Sequence, residues 1–299
     1  MPIDEEAKRL IEAAGLPPEA LPSDLFFTEG AEREVDRARA VAGAGAGAAA
    51  AGTGSAARGA AARGAAAPAT GAPDVSVPLD SNELQERIAA RRAAGDTAPL
   101  KIGVLISGSG TNLQALIDRI ADGSLNAQIV LVVSSRPSAK GLKRAEAAGL
   151  QTLTLSKEIY ADPVMADEVI ATELYRAGAD YVIMAGYMRM VHAPILATFK
   201  NRVINLHPAL LPSFTGAHAI ADAYARGVKV TGVTVHIANA VYDQGPIIAQ
   251  EPVRVAEGWS VEELEAAIHE VEHRLYPQVV QLLAEGRVHV NADLTVRVA

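Results

Sequence analysis

Residues 101–113 read KIGVLISGSGTNL, an aliphatic run followed by a turn of glycine and serine and then by the start of a helical pattern. The pattern continues with apolar residues at the spacing of one helix face, namely Leu113, Leu116, Ile117 and Ile120. A strand that turns on glycine directly into a helix is the first unit of an open α/β sheet. We expect the backbone amides of this turn, at the helix N-terminus, to bind an anion.

Two other interpretations of the turn remain open: a tight turn without a ligand, and a dinucleotide site. Leu113 replaces the third glycine of the dinucleotide-binding pattern, and residues 134–136 (SSR) follow the second strand in place of an acidic ribose ligand. Arg136 would still suit an NADP-type phosphate, so a reductase is disfavoured but not excluded.

From Lys101 onward, short aliphatic runs alternate with helical stretches. This alternation predicts an α/β fold with a mostly parallel, Rossmann-like sheet and helices on both faces. Five helices fill the intervals, and a sixth closes the chain. The predicted strands are 101–106, 129–133, 152–155, 181–184, 202–205, 231–237 and 246–254. Ligands bind beyond the carboxyl ends of such strands, so the residues that follow each strand are the functional candidates.

The N-terminal part of the chain has a different composition. Between residues 40 and 73 the only charges are Arg58 and Arg63, and nearly all other residues are Ala, Gly, Ser, Thr or Pro. Such a stretch has little to bury, so we expect it to be disordered. The predicted division is a helical arm (1–39, with helices at 4–14 and 31–41), a linker (40–80), a connecting helix (81–97, helical over about 82–94, with Ser81 as N-cap and Leu84 and Ile88 facing inward) and a catalytic domain (98–299).

The composition excludes several classes of protein. The 299 residues are 49% hydrophobic, carry a formal net charge of −8 and include no cysteine, which rules out disulfides, thiolate metal sites and acyl transfer through a thiol. No run of large apolar residues approaches the roughly 20 that cross a membrane. The negative charge disfavours binding to nucleic acid, and the acidic residues 1–6 do not form a signal peptide. We therefore expect a cytoplasmic protein with neither nucleic acid nor membrane as a partner.

A second set of polar residues follows later strands. Asn205 and His207 are two residues apart in extended chain, so their side chains project to the same side. A carboxamide and an imidazolium there could together hold an oxyanion. If Asp243 reaches His207, it would favour the charged imidazole, and the three groups would suit acyl transfer. Four other histidines lack such company and are expected to be structural: His192, His218, His236 and His289.

Five separated motifs then carry a resemblance to a known family. In order and spacing, the chain resembles the phosphoribosylglycinamide formyltransferases of purine biosynthesis over about residues 100–290. The motifs are 108–114 (GSGTNLQ), 185–189 (AGYMR), 205–212 (NLHPALLP), 243–248 (DQGPII) and 272–277 (EHRLYP). The resemblance implies the formyltransferase fold, with direct transfer of a formyl group from 10-formyltetrahydrofolate to the amine of 5-phosphoribosylglycinamide. It implies neither a metal nor a covalent enzyme intermediate.

The resemblance also implies roles for individual residues. The substrate phosphate would be held by Gly110, Thr111 and Asn112, and the ribose hydroxyls by Glu272. Asn205 and His207 would stabilise the oxyanion. Asp243 would keep His207 protonated and help to remove the proton that the attacking amine loses. The folate would contact Met188, Arg189, Met190, Val191, Asn205, Asn239, Ala240, Val241, Tyr242 and Asp243. A monomer or homodimer acting on these two small molecules is expected.

Three positions depart from the family pattern. Thr215 stands where a proline is common, the helix that opens at residues 162–167 lacks the usual arginine, and residues 239–242 lack the usual acidic side chains. The departures concern loop rigidity and folate binding rather than the transfer chemistry.

Two relatives share the histidine and aspartate and remain as alternatives. Formyltetrahydrofolate deformylase usually has a second histidine where this chain has Pro208, and it has a packed N-terminal domain. Methionyl-tRNA formyltransferase needs a basic C-terminal domain, which would have to follow Ala299. A scaffold with a degenerate catalytic domain is the non-enzymatic alternative, although the imidazole, amide and carboxylate are all present.

A zinc hydrolase is an alternative of another class, because His269, Glu270 and His273 fit the metalloprotease pattern of two histidines one helical turn apart. Helical geometry disfavours it, since the apolar stripe of this helix lies nearly opposite His273, so both histidines are expected to face outward. Glu272 lies about 60° from the centre of the stripe, where we expect it to be half-buried and to point into a cleft.

Overall fold

The structure is a computed structural model that describes residues 80–299. The predicted arm, its two helices and nearly all of the predicted linker lie outside these residues. The helices are α1 (Ser81–Ala93), α2 (Thr111–Ala121), α3 (Lys140–Ala147), α4 (Pro163–Arg176), α5 (Ala193–Thr198), α6 (Ala219–Arg226) and α7 (Val261–Ala284). The strands are β1 (Leu100–Ile106), β2 (Ala127–Ser134), β3 (Thr152–Thr154), β4 (Tyr181–Met184), β5 (Val203–His207), β6 (Val230–Ile237), β7 (Ile247–Arg254), β8 (Val288–Val290) and β9 (Val296–Val298).

Seven strands form one sheet in the order β3-β2-β1-β4-β5-β6-β7. Strands β1 to β5 run parallel, whereas β6 pairs antiparallel with both β5 and β7. The predicted α/β class and mostly parallel sheet are confirmed. The chain moves outward from β1 in one direction through β2 and β3 and then returns to place β4 on its other side. Such a switch opens a crevice at the carboxyl ends of β1 and β4.

Aliphatic side chains project from both faces of β1 over residues 102–106, which explains the apolar sequence of this part of the strand. Val104 belongs to a core shared with α2 and α7, and Leu105 belongs to a second core shared with α4 and α5. Gly103 allows α4 to pack closely, because a Cβ at this position would lie 2.2 Å from a side-chain methyl of Leu174. The two helical layers therefore pack directly on the central strand.

Tyr276 on α7 is fully buried under the centre of the sheet. Its hydroxyl lies 2.8 Å from the carbonyl oxygen of Ile204 on β5 and 3.2 Å from that of Met184 on β4. One phenol thus connects the last long helix to two adjacent parallel strands, at the last residue of β4 and the second residue of β5.

Helix α1 packs at the amino end of β4, on the side of the sheet away from the crevice, and also contacts the end of α7. Its N-cap is Asp80, whose carboxylate accepts from the amide of Asn82, so the prediction of Ser81 as the cap was wrong. Ser81 instead lies inside the helix, and its hydroxyl is 3.2 Å from the buried hydroxyl of Tyr181. Leu84 and Ile88 join the larger core, as expected. None of the helices in residues 80–299 combines the length and apolar character needed to span a bilayer.

Gln85 is the main polar link between α1 and the rest of the fold. Its Nε2 donates to the hydroxyl of Tyr181 and to the carbonyl of Leu283, and its Oε1 accepts from the amide of Val288. We expect Gln85→Ala to lower the free energy of unfolding by about 3 kcal/mol, because it leaves buried backbone groups without partners. Urea unfolding of the full chain measures this, with the exposed Glu86→Ala as the control. An unchanged midpoint for Gln85→Ala would contradict the assigned role.

Candidate active site

The turn after β1 forms one wall of the crevice. Gly110 is the N-cap of α2 in a left-handed conformation (φ 71°), and it provides no side-chain cap for the first amides of the helix. A Cβ at Gly110 would lie 2.5 Å from the Cα of Gly141, so only glycine lets α3 approach the turn this closely. Arg144 on α3 also donates to the carbonyl of Ser109, at 3.0 Å. The uncapped helix N-terminus, with no acidic residue in its first turn, offers positive potential to an anion.

Asn112 on α2 and Glu272 on α7 connect the two helices at the base of this wall. Nδ2 of Asn112 donates to Oε2 of Glu272 at 3.0 Å, and both side chains are buried. Oδ1 of Asn112 is also buried and has no hydrogen-bond partner among residues 80–299. Burial raises the pKa of Glu272, and the hydrogen bond from Asn112 offsets part of this rise. A buried carboxylate beside an unpaired amide oxygen leaves acceptors for a ligand that donates hydrogen bonds.

The exposures predicted for this part of α7 need correction. Glu272 is 5% exposed rather than half-buried. His269 and His273 are half-buried rather than outward-facing, with stacked rings 6.1 Å apart, and Nε2 of His273 is buried without a partner in the described chain. The reason is that α2 packs along this side of α7 and covers more of the helix than its apolar stripe indicates. Within residues 80–299 no three histidine, aspartate or glutamate side chains are grouped as a metal site.

The end of β5 brings Asn205 and His207 into the crevice. Nε2 of His207 lies 2.7 Å from the carbonyl oxygen of Phe214, and Nδ1 lies 3.5 Å from Oδ2 of Asp243. Both partners are oxygen acceptors: the carbonyl is within hydrogen-bond distance, and the carboxylate is within ion-pair distance. The predicted neighbours Asn205, His207 and Asp243 are therefore brought together, with His207 and Asp243 buried.

Asp243 reaches the site from the loop between β6 and β7 with a left-handed backbone (φ 56°). Its Oδ2 accepts from the amide of Gly216 at 2.8 Å, which ties it to the loop that follows β5. Its Oδ1 lies 3.8 Å from Nε2 of His236. The single carboxylate thus faces two imidazole rings and one backbone amide.

His236 is a member of the site that the sequence did not reveal. It is 1% exposed, and its Nε2 lies 3.1 Å from Nδ2 of Asn205. Burial lowers the pKa of His236, and this effect outweighs the opposing influence of Asp243. The sequence predicted that His236 lies in a strand and expected it to be structural, since no motif marks the pairing of that strand with β5.

A cavity opens between the segment after β4 and the loop after β6. It is lined by Arg189, Met190, Val191, Asn205, Val241 and Tyr242, among others, and His236 and Asp243 lie at its floor. Asn239 also lines it, whereas Met188 and Ala240 do not; Met188 is 66% exposed, and its amide donates to Ser107. The guanidinium of Arg189 is held 4.4 Å above the ring of Tyr160. Apolar walls around a few polar groups are typical of the lining of a small-molecule site.

Comparisons with known proteins agree with this geometry. Residues 100–280 match the family described as formyl transferase. Phosphoribosylglycinamide formyltransferase of Bacillus subtilis (strain 168) is 35% identical over 183 residues, which cover 61% of this chain and 94% of that protein. The trifunctional purine biosynthetic protein adenosine-3 of Gallus gallus is 40% identical over 195 residues, 65% of this chain. The match spans only 19% of that longer protein.

Solved structures of related proteins are also similar to this chain. Glycinamide ribonucleotide transformylase 1 from Symbiobacterium toebii superposes with a TM-score of 0.65 at 45% identity, covering 67% of this chain and 94% of that one. The phosphoribosylglycinamide formyltransferase from Anaplasma phagocytophilum gives a TM-score of 0.62 at 35% identity. Because the family match extends over more than half of the sequence and includes both walls of the crevice, the chain belongs to the formyl transferase family.

Proposed function

We propose that the chain transfers a formyl group from 10-formyltetrahydrofolate to the amine of 5-phosphoribosylglycinamide, as a step of purine biosynthesis. The observation that carries the proposal is the junction of Asn205, His207 and Asp243 beside an apolar cavity, in a crevice that also holds an uncapped helix N-terminus. Relatives that are named for this activity support it. The substrates are small molecules, and the cytoplasm is the proposed compartment. The proposal covers a monomer or a homodimer.

The two walls would each hold one substrate. Gly110, Thr111 and Asn112 would bind the phosphate through the amides of the first turn of α2. The ribose hydroxyls would donate to Glu272, beside the unpaired Oδ1 of Asn112. The pterin ring would lie on the other side, where the apolar cavity opens between residues 188–191 and residues 239–243.

The chemistry requires no covalent bond to the enzyme. The substrate amine attacks the formyl carbon and forms a C–N bond, and the carbonyl oxygen takes up the negative charge. Nδ2 of Asn205 would donate to this oxygen, and a charged His207 would stabilise it electrostatically. Asp243 would accept the proton that the amine loses. The bond to the folate nitrogen then breaks, and that nitrogen takes a proton. No metal has a part in this proposal.

The deformylase alternative needs the folate but not the ribonucleotide, so an assay without the ribonucleotide tests it directly. We expect the purified full chain to transfer formyl only when both substrates are present. His207→Ala should lower kcat by about 1,000-fold, since it removes the charge opposite the developing oxyanion. His289→Ala, on β8, is the matched control and should retain full activity. Formate release from the folate alone at an equal rate would show a deformylase and overturn the proposal.

Glu272 provides a separate test of the substrate-binding wall. Glu272→Gln should raise the KM for the ribonucleotide about tenfold and leave the KM for the folate unchanged, because the charge-assisted hydrogen bonds to the ribose become neutral. The exposed Glu270→Gln on the same helix is the control. Burial raises the pKa of Glu272, so in the unmodified protein the KM for the ribonucleotide should rise as the pH falls through this raised pKa. A KM that does not respond to Glu272→Gln would remove Glu272 from the ribose site.

A further inference from the structure

His236 is a buried titratable group that the mechanism above leaves without a role. It lies on β6, and the antiparallel register of β5 and β6 places it directly opposite Asn205. The side chain is 1% exposed at the floor of the cavity. Each ring nitrogen has a polar neighbour at 3.1 Å, so these contacts can be used to assign the proton of the ring.

The partner of Nδ1 determines the tautomer. Nδ1 lies 3.1 Å from the carbonyl oxygen of Ile237, which can only accept, so Nδ1 must carry the proton. Gly245 closes this side of the ring, because a Cβ there would lie 1.7 Å from the same carbonyl oxygen and 3.4 Å from Nδ1. In a neutral ring, Nε2 is then an acceptor with a free lone pair.

The partner of Nε2 is the carboxamide of Asn205. Because Nε2 lacks a proton, the contact of 3.1 Å with Nδ2 of Asn205 is a hydrogen bond donated by the amide. An amide nitrogen carries two hydrogens, so one remains for another acceptor. If the amide rotated by 180°, its oxygen would face the lone pair of Nε2, which is repulsive.

The charged groups near His236 do not change the assignment of its proton to Nδ1. Asp243, at 3.8 Å, would favour a proton on Nε2, whereas the nearby His207 opposes a second positive charge. Burial is the largest influence and lowers the pKa of His236, so the ring is neutral near pH 7.

We propose that His236 is a positioning residue whose unprotonated Nε2 holds Nδ2 of Asn205 and so directs the second amide hydrogen to the oxyanion of the transferred formyl group. The catalytic half of this statement rests on the proposed function. The hydrogen-bonding half does not, and it can be measured without substrate.

The first experiment is nitrogen NMR of the full chain labelled with ¹⁵N-histidine at pH 7. The sequence contains seven histidines, and the spectrum of His236→Gln identifies the missing signals. We expect His236 to show a protonated Nδ1 and an unprotonated Nε2. A proton on Nε2 would overturn the proposal whether or not the chain transfers formyl groups.

The second experiment separates positioning from general damage to the fold. His236→Leu removes the acceptor and should lower kcat about 100-fold with little change in either KM, since only the transition state uses the freed amide. His236→Gln can present Oε1 as an acceptor and should recover most of the loss. His289→Leu is the matched control for the same substitution away from the crevice. Equal losses in the Leu and Gln variants would contradict the proposal.

A double substitution tests the connection itself. If His236 acts through Asn205, then His236→Leu should cost nothing further in the Asn205→Ala protein, where the amide is already absent. Losses that multiply would show that His236 works independently of Asn205 and would overturn the proposal. A wild-type protein without formyl transfer would defeat the proposed function but leave the NMR result to decide the hydrogen bond.

Discussion

A buried carboxylate must be matched by hydrogen bonds or by charge, and Asp243 imposes this condition on the whole crevice. Its partners come from three separate segments: Gly216 in the loop after β5, His207 at the end of β5, and His236 on β6. The left-handed backbone of Asp243 is the local cost of directing the carboxylate inward. Because all three segments contact the same carboxylate, the positions of the loops around the cavity depend on the positions of the two histidines.

The site combines two halves of different character. One half is built on α2, α3 and α7. It contains the close contact between Gly110 and Gly141 at the uncapped N-terminus of α2, and the hydrogen bond between Asn112 and Glu272. The other half is built on the segments after β4 and β6, whose apolar side chains line the cavity. Asn205, which lines the cavity, marks the boundary between the two halves. A transfer reaction needs such a boundary, since donor and acceptor must meet without free water between them.

The sequence was a good guide where local geometry decides the outcome. The period of two along an extended chain placed Asn205 and His207 on one side, and the glycine turn predicted the helix N-terminus. It was a poorer guide where distant segments decide. The burial of Glu272 depends on α2 lying alongside α7, and the importance of His236 depends on the antiparallel register of β5 and β6. Neither contact leaves a local pattern, because each joins residues that are far apart in the chain.

The hydroxyl of Tyr276 couples movements of α7 to the strands that carry the crevice. It hydrogen-bonds the carbonyl groups of Met184 and Ile204, which lie just before the cavity-lining segment and just before Asn205. The separation of β4 and β5 at this point is therefore coupled to the position of α7, the helix that also carries Glu272. A small displacement of this helix would change the spacing of β4 and β5 and the position of the wall that carries Glu272 together. The last helix thus acts as a common mechanical reference for the cavity and for the wall that carries Glu272, so their alignment would survive fluctuations of the surrounding loops.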